Sequence, residues 1–252
     1  MGLFEFLRRF QRYRLTTKSF GATAMFTQTI KRNSSRQPAS RVAQSVPTNT
    51  VSIGSPIEMM GASMPFARDT EIYGEGETAD YLYKVVSGAI RTYKVLNDGR
   101  RQVDSFYLPS DIFGLEVGDE HTFSAEAAAD SKVLVIRRSA IIALAGRDKE
   151  VARQLWMMAA VELQRAQDHI MLLVKTAQKR VVGFLLEMAA RTPGASELDL
   201  PMSRQDIADY LGLTIETVSR TMTQLENSGA IALATSRRIV LRSRGALNRM
   251  KA

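Results

Sequence analysis

The chain has 252 residues, a formal net charge of +8 and no cysteine, and its two histidines, His121 and His169, lie far apart. Disulfides, thiolate zinc sites, cysteine-ligated iron–sulfur clusters and cysteine nucleophiles are excluded, and histidine-rich metal chemistry is disfavoured. No uninterrupted apolar run is long enough to cross a bilayer. The length suffices for two domains. Residues 1–50 carry nine Lys/Arg against one acid, 51–170 carry 13 basic against 18 acidic residues, and 171–252 carry 12 against 7. An acidic middle joined to a basic C-terminal part suits a protein whose C-terminal end meets a polyanion.

Residues 1–55 read as a basic tail. "MGLFEFLRRFQRYRL" could form a basic amphipathic helix, and the Ser/Thr/Arg-rich stretch after it shows no apolar period, which predicts disorder. Such a tail could also lie on an anionic surface or on DNA. Its Arg-rich, Ser-rich, acid-poor makeup is shared with organellar transit peptides.

Residues 56–146 are expected to form a β domain. "YLYKVVSGAIRTYKVLNDGRRQVDSFYL" reads strand, Ser-Gly turn, strand, Asn-Asp-Gly turn, strand. "SDIFGLE" and "SKVLVIRRSAI" continue the series. Short strands at even spacing predict an antiparallel β-roll or jelly roll, within an α+β chain.

A long helix is expected over 147–176. Leu155, Ala159, Leu163, Ala166, Ile170 and Leu173 recur at steps of four or three, close to a heptad seam. Further apolar residues lie on its other faces, so it should pack both on its own β domain and on a second copy. A second helix, "TAQKRVVGFLLEMAART", leads to the punctuation "TPGASELDLP".

The last module, residues 177–252, holds "SRQDIADYLGLTIETVSRTMTQLENSG". Ser203 is a natural N-cap with Asp206 in the first turn. Gly212 marks the bend, and Thr214 can cap the second helix. Ile207, Leu211, Leu213, Val218, Met222 and Leu225 supply apolar faces that lock two helices at a steep angle. "IALATSRRIVLRS" then reads as a two-stranded wing with Arg237 and Arg238 at its tip. Glu216, Ser219 and Arg220 lie at i, i+3 and i+4 and share one face. Arginine can donate two bonds to guanine O6 and N7, glutamate can accept from cytosine N4, and a serine hydroxyl suits base or phosphate. An intrahelical Glu216–Arg220 pair on a wet surface is the blander use of the same spacing.

A β-roll, a long helix and a winged helix-turn-helix carrying "ETVSR" together resemble the CRP/FNR family of bacterial transcription regulators over about residues 60–250. "LPMSRQDIADYLGLTIETVSRTMTQLENSGAI" is similar to its FixK branch. The resemblance implies a cytoplasmic homodimer, in no sense an enzyme, that binds a TTGAT…ATCAA palindrome and recruits RNA polymerase. Its genes would be those of oxygen limitation or nitrogen fixation. It also implies base reading by Glu216, Ser219 and Arg220, with Ile215 against a thymine methyl. Ser203, Thr214, Thr217, Arg237 and Arg238 are the expected phosphate contacts. A bacterial family argues against the transit-peptide reading of the tail.

Two departures bear on sensing. The cysteine cluster of FNR-type oxygen sensors is absent. Cyclic-nucleotide binders carry Phe-Gly-Glu-Leu and then Arg-Ser or Arg-Thr, whereas here "FGLEVGDEHTFSAEA" displaces Glu116 and puts Phe123 and Ser124 at the arginine pair. A buried cyclic phosphate would lack its charge partner. His121 and His169 are read as surface residues and supply no haem ligand set. The β-roll is therefore expected to be a scaffold with no cofactor. The alternative is a regulator gated by an unidentified small molecule in the β-roll. A cupin-like enzyme would need a cluster of metal ligands that two isolated histidines do not supply.

Overall fold

The computed structural model describes residues 60–192 and 197–251. The basic tail expected over residues 1–55 lies outside the described residues.

Between residues 62 and 137 the apolar–polar alternation folds as short strands. They are β1 (Ala62–Phe66), β2 (Glu71–Tyr73), β3 (Tyr81–Ser87), β4 (Ile90–Val95), β5 (Arg101–Tyr107), β6 (Ile112–Phe113), β7 (Ser124–Ala127) and β8 (Ser131–Arg137). They pair into two four-stranded sheets, β1-β8-β3-β6 and β2-β7-β4-β5, with antiparallel neighbours throughout. This is the β-roll expected from the sequence. Tyr73, Tyr83, Val85, Ile90, Phe113 and Val133 meet in one buried cluster. The register sets Val85 opposite Val133; a slip of one residue would turn these valines to the other face. At the turn between β3 and β4, Gly88 has φ +84°, and a Cβ there would collide with Ser131 Oγ and the Asp130 carbonyl. Only glycine takes this conformation in this space. Ser131 uses the room, accepting from the Ala89 N–H at 3.0 Å and donating to the Ala129 carbonyl at 2.7 Å.

The strand series expected through "SKVLVIRRSAI" stops at Arg137. Helix α1 (Arg138–Ala145) follows at once, because Ile141 and Ala145, four residues apart, both turn into the core. Helix α2 (Lys149–Leu173) starts at Asp148, whose carboxylate accepts from the N–H groups of Glu150 and Val151. Helix α3 (Ala177–Arg191) packs beside it, with Leu172 seated where a Cβ on Gly183 would stand. Asp111, between β5 and β6, accepts from Arg165 of α2 at 2.8 Å and from Arg191 of α3.

The C-terminal part comprises β9 (Glu197–Asp199), α4 (Arg204–Leu211), α5 (Ile215–Asn227), β10 (Ile231–Leu233), β11 (Arg238–Leu241) and α6 (Arg244–Lys251). Two of these correct the sequence-based picture. The stretch read as punctuation contributes β9, which pairs with β11 in a sheet ordered β10-β11-β9. Beyond the wing, α6 buries Leu247 against the same core. That core gathers Phe184, Leu198, Ile207, Leu211, Val218 and Ile239, and it also takes in Val103 and Phe106 from β5. The C-terminal part is thus packed against β5 of the β-roll. Among the described residues, no helix is long and apolar enough to cross a membrane.

Candidate nucleic-acid interface

Helix α4 is fixed at both ends by residues the sequence marks. Ser203 Oγ accepts from the Asp206 N–H at 3.1 Å, and the Asp206 carboxylate accepts from the Ser203 N–H at 2.8 Å, a complete capping box. Gly212 closes the helix at φ 60°, its N–H bonded to the Ala208 carbonyl. Two residues later Thr214 Oγ1 accepts from the Thr217 N–H at 3.3 Å and starts α5. A tie the sequence did not signal secures the bend: Arg180 of α3 donates to the Leu211 carbonyl at 2.9 Å and to the Lys175 carbonyl at 2.9 Å. The two lie 31 residues apart, so no local pattern announces the contact.

On α5 the two faces are cleanly divided. Val218, Thr221, Met222 and Leu225 are buried, while Ile215, Glu216, Ser219 and Arg220 are exposed. Thr217 is half-buried and shares a hydroxyl–hydroxyl contact of 3.1 Å with Thr214. The Glu216 carboxyl lies below its ordinary value, held by its own backbone N–H and the Thr214 hydroxyl, and less by Arg220. It stays an acceptor at neutral pH.

The wing places its two arginines differently. The Thr235 hydroxyl accepts from the N–H groups of both Arg237 and Arg238 and shapes the tip. Arg238 reaches Glu197 of β9 at 3.5 Å on an exposed surface. Arg237 is half-buried and lines, with Ser203 and Arg68, a cleft of about 410 Å³ at the start of α4.

Along α2 the apolar row divides. Leu155 packs on the β-roll core beside Val151 and Met158, and Leu173 is half-buried. Ala159, Leu163, Ala166 and Ile170 are exposed. Trp156, one residue past Leu155, is 68 % exposed and falls in a seven-residue register with Leu163 and Ile170, each 60 % exposed. The open stripe therefore starts at Trp156.

Both histidines depart from the expected surface placement. His121 is 2 % exposed and stacks on Tyr73 at a ring distance of 3.5 Å, with Nδ1 3.5 Å from Glu116. Burial lowers its pKa against the opposing pull of Glu116. Glu116 in turn accepts from the Thr122 hydroxyl at 2.9 Å. His169 is half-buried with its ring 4.0 Å from that of Tyr210, and burial takes its pKa down to about 4. Apolar neighbours far away in sequence cover both rings, and no local pattern announces that. Among the described residues no cluster of His, Asp and Glu could hold a metal ion.

A β-roll packed on a capped helix-turn-helix, with a wing and one exposed polar helix face, defines a DNA-binding regulator. Residues 63–148 match the cyclic nucleotide-binding domain family, and residues 179–250 match the Crp-like helix-turn-helix domain family. The nitrogen fixation regulation protein FixK of Azorhizobium caulinodans is 51 % identical over 200 residues, covering 77 % of this chain and 81 % of the relative. The protein of the same description from Rhizobium meliloti is 44 % identical over 170 residues, 67 % of this chain and 77 % of its own. The solved structure of FixK2 from Bradyrhizobium japonicum superposes with a TM-score of 0.74 at 50 % identity, covering 76 % of this chain and 98 % of that one. The chain belongs to the CRP/FNR family of transcription regulators.

Proposed function

We propose that the chain acts in the cytoplasm as a homodimeric activator. It reads a TTGAT…ATCAA-like palindrome and recruits RNA polymerase at genes of oxygen limitation or nitrogen fixation. The observation that carries this reading is the divided α5 helix, which anchors through Val218 and Met222 and presents Glu216, Ser219 and Arg220. In a major groove Arg220 would donate to guanine O6 and N7, Glu216 would accept from cytosine N4, and Ile215 would meet a thymine methyl. Ser203, Thr214, Thr217, Arg237 and Arg238 would hold phosphates and set the register without reading sequence. A second copy would cover the stripe of Trp156, Leu163 and Ile170 on α2. The names of the FixK relatives support the choice of genes.

Binding needs no effector in this reading. Where cyclic-nucleotide binders carry their phosphate cassette, Glu116 is engaged with Thr122, and His121 is stacked on Tyr73. The match of residues 63–148 to a cyclic nucleotide-binding family favours a second reading, an effector-gated regulator. A gel shift with full-length protein on the palindrome and on scrambled half-sites, with and without cyclic AMP, separates them. The palindrome alone should be retarded, with or without nucleotide. Equal retention of scrambled DNA defeats sequence reading, and a large nucleotide-dependent gain establishes gating.

A further inference from the structure

The junction between the β-roll and the helix-turn-helix holds an ionic cluster whose centre, Arg91 with Asp206, is buried. Arg91 of β4 has a side chain only 5 % exposed; it donates to Asp206 at 3.2 Å and to Asp69 at 2.9 Å, and pairs with Glu126 at 3.0 Å. Arg101 of β5 bridges two carboxylates of α4, Asp206 at 2.6 Å and Asp209 at 2.8 Å. Gln102 adds a bond to the Tyr210 carbonyl at 3.4 Å. Beneath these, Phe106 packs on Tyr210 and Phe184, with ring distances of 5.2 and 6.2 Å.

Two features separate this cluster from an ordinary surface ion pair. Its centre, Asp206, has a side chain 2 % exposed and is also the residue that closes the capping box of α4. Guanidinium forks meeting carboxylate oxygens are directional, so they fix orientation as well as distance. Apolar packing of Phe106 alone would leave α4 free to slide. With both carboxylates bridged by one guanidinium, a single docking satisfies every partner. The neighbouring cleft is not thereby an anion receptor, since Arg91 and Arg101 are already matched by acids of the chain itself.

We propose that Arg91 and Arg101 are positioning residues for DNA reading, forming with Asp206 and Asp209 a clasp that holds the helix-turn-helix at one fixed angle on the β-roll. The three-residue bend joining α4 to α5 passes that placement on to the reading helix. This rests on the reading of a homodimer bound to a palindrome. In such a dimer the clasp fixes the separation of the two α5 helices, and hence the half-site spacing that fits.

The test uses full-length wild type and the variants Arg101→Gln, Asp209→Asn, their double mutant and Arg101→Lys. Each is titrated on the palindrome, on palindromes with the spacer one base pair shorter or longer, and on a single half-site. Arg101 is partly exposed, and thermal unfolding identifies any variant that fails to fold. Should Arg101→Gln do so, Asp209→Asn carries the same readout. The expected result for Arg101→Gln is about a tenfold loss on the natural spacing, an ordinary size for coupling across a domain junction. Half-site binding should stay within about twofold of wild type, with a flattened preference across spacers. Asp209→Asn should add little to Arg101→Gln, and Arg101→Lys should restore part of the preference. If folded variants lose the same factor on half-site and palindrome, or keep the full spacer preference, the clasp does not set spacing. A wild type that shows no preference for palindrome over half-site would instead overturn the palindromic dimer itself.

Discussion

Replacing Arg220 with alanine isolates the base-reading step, because the side chain takes no part in holding the fold together. Arg220 is exposed on α5, one turn past Glu216, and the buried anchors Val218, Thr221 and Met222 are untouched by its removal. Alanine is at least as good a helix former, so stability should change by no more than about 0.5 kcal/mol. A bidentate arginine–guanine contact contributes about 1–3 kcal/mol of discrimination per half-site. Over two half-sites that is about 2–6 kcal/mol, or about 30-fold to about 10⁴-fold in affinity. The assay titrates operators changed one base at a time, at several salt concentrations. Arg220→Ala should bind weakly and be indifferent to the base at the guanine of TTGAT. Arg237→Ala is the contrasting case: it should weaken binding to every sequence alike and reduce the salt slope by about one. If Arg220→Ala keeps the full preference for guanine while losing only overall affinity, Arg220 is a phosphate contact and the base-reading assignment fails.

Other perturbations probe the frame that carries this helix. Leu163→Glu combined with Ile170→Glu places charges on the open stripe of α2 and should yield folded monomers by light scattering that no longer retain the palindrome; a dimeric double mutant would remove the stripe from the interface. Gly88→Ala forces a β-carbon onto Ser131 at a positive φ and should cost at least about 1–3 kcal/mol in urea unfolding; an unchanged midpoint would contradict the packing at that turn. His169 has its pKa taken down to about 4 by burial against Tyr210, from an ordinary 6.5. Its neutral ring contributes stability that is complete above about pH 6.5 and is lost progressively as pH falls towards about 4. His169→Phe should therefore flatten the acid arm of a stability-versus-pH curve in that window, and a superimposable curve would show that the ring is as well hydrated folded as unfolded.

What the sequence discloses here follows how local each signal is. The helix-turn-helix is legible because its caps act within a few residues: Ser203 with Asp206, Gly212 at the bend, Thr214 with Thr217. The hairpin of β4 and β5 is legible through Asn97-Asp98-Gly99 for the same reason. Elements that exist only by virtue of distant partners are not. Three residues, Glu197–Asp199, become a strand because β11 lies some 40 positions onward and offers a free edge. His121 is buried by Tyr73, and Asp206 is met by Arg91 and Arg101, 115 and 105 residues away. On α2 the apolar period is plain, but rotation about the helix is not. One residue turns the row by about 100°, enough to exchange Leu155, which faces the β-roll, for Trp156, which faces outward.

The central claim, that two copies of this chain read one palindrome through paired α5 helices, is tested most directly by genome-wide footprinting of the full-length protein in cells grown with limited oxygen. The sites recovered should share a two-fold symmetric TTGAT…ATCAA motif, protected equally on both halves and lying upstream of oxygen-limitation or nitrogen-fixation genes. Sites with a single unpaired half-motif, or with no shared sequence, would contradict it.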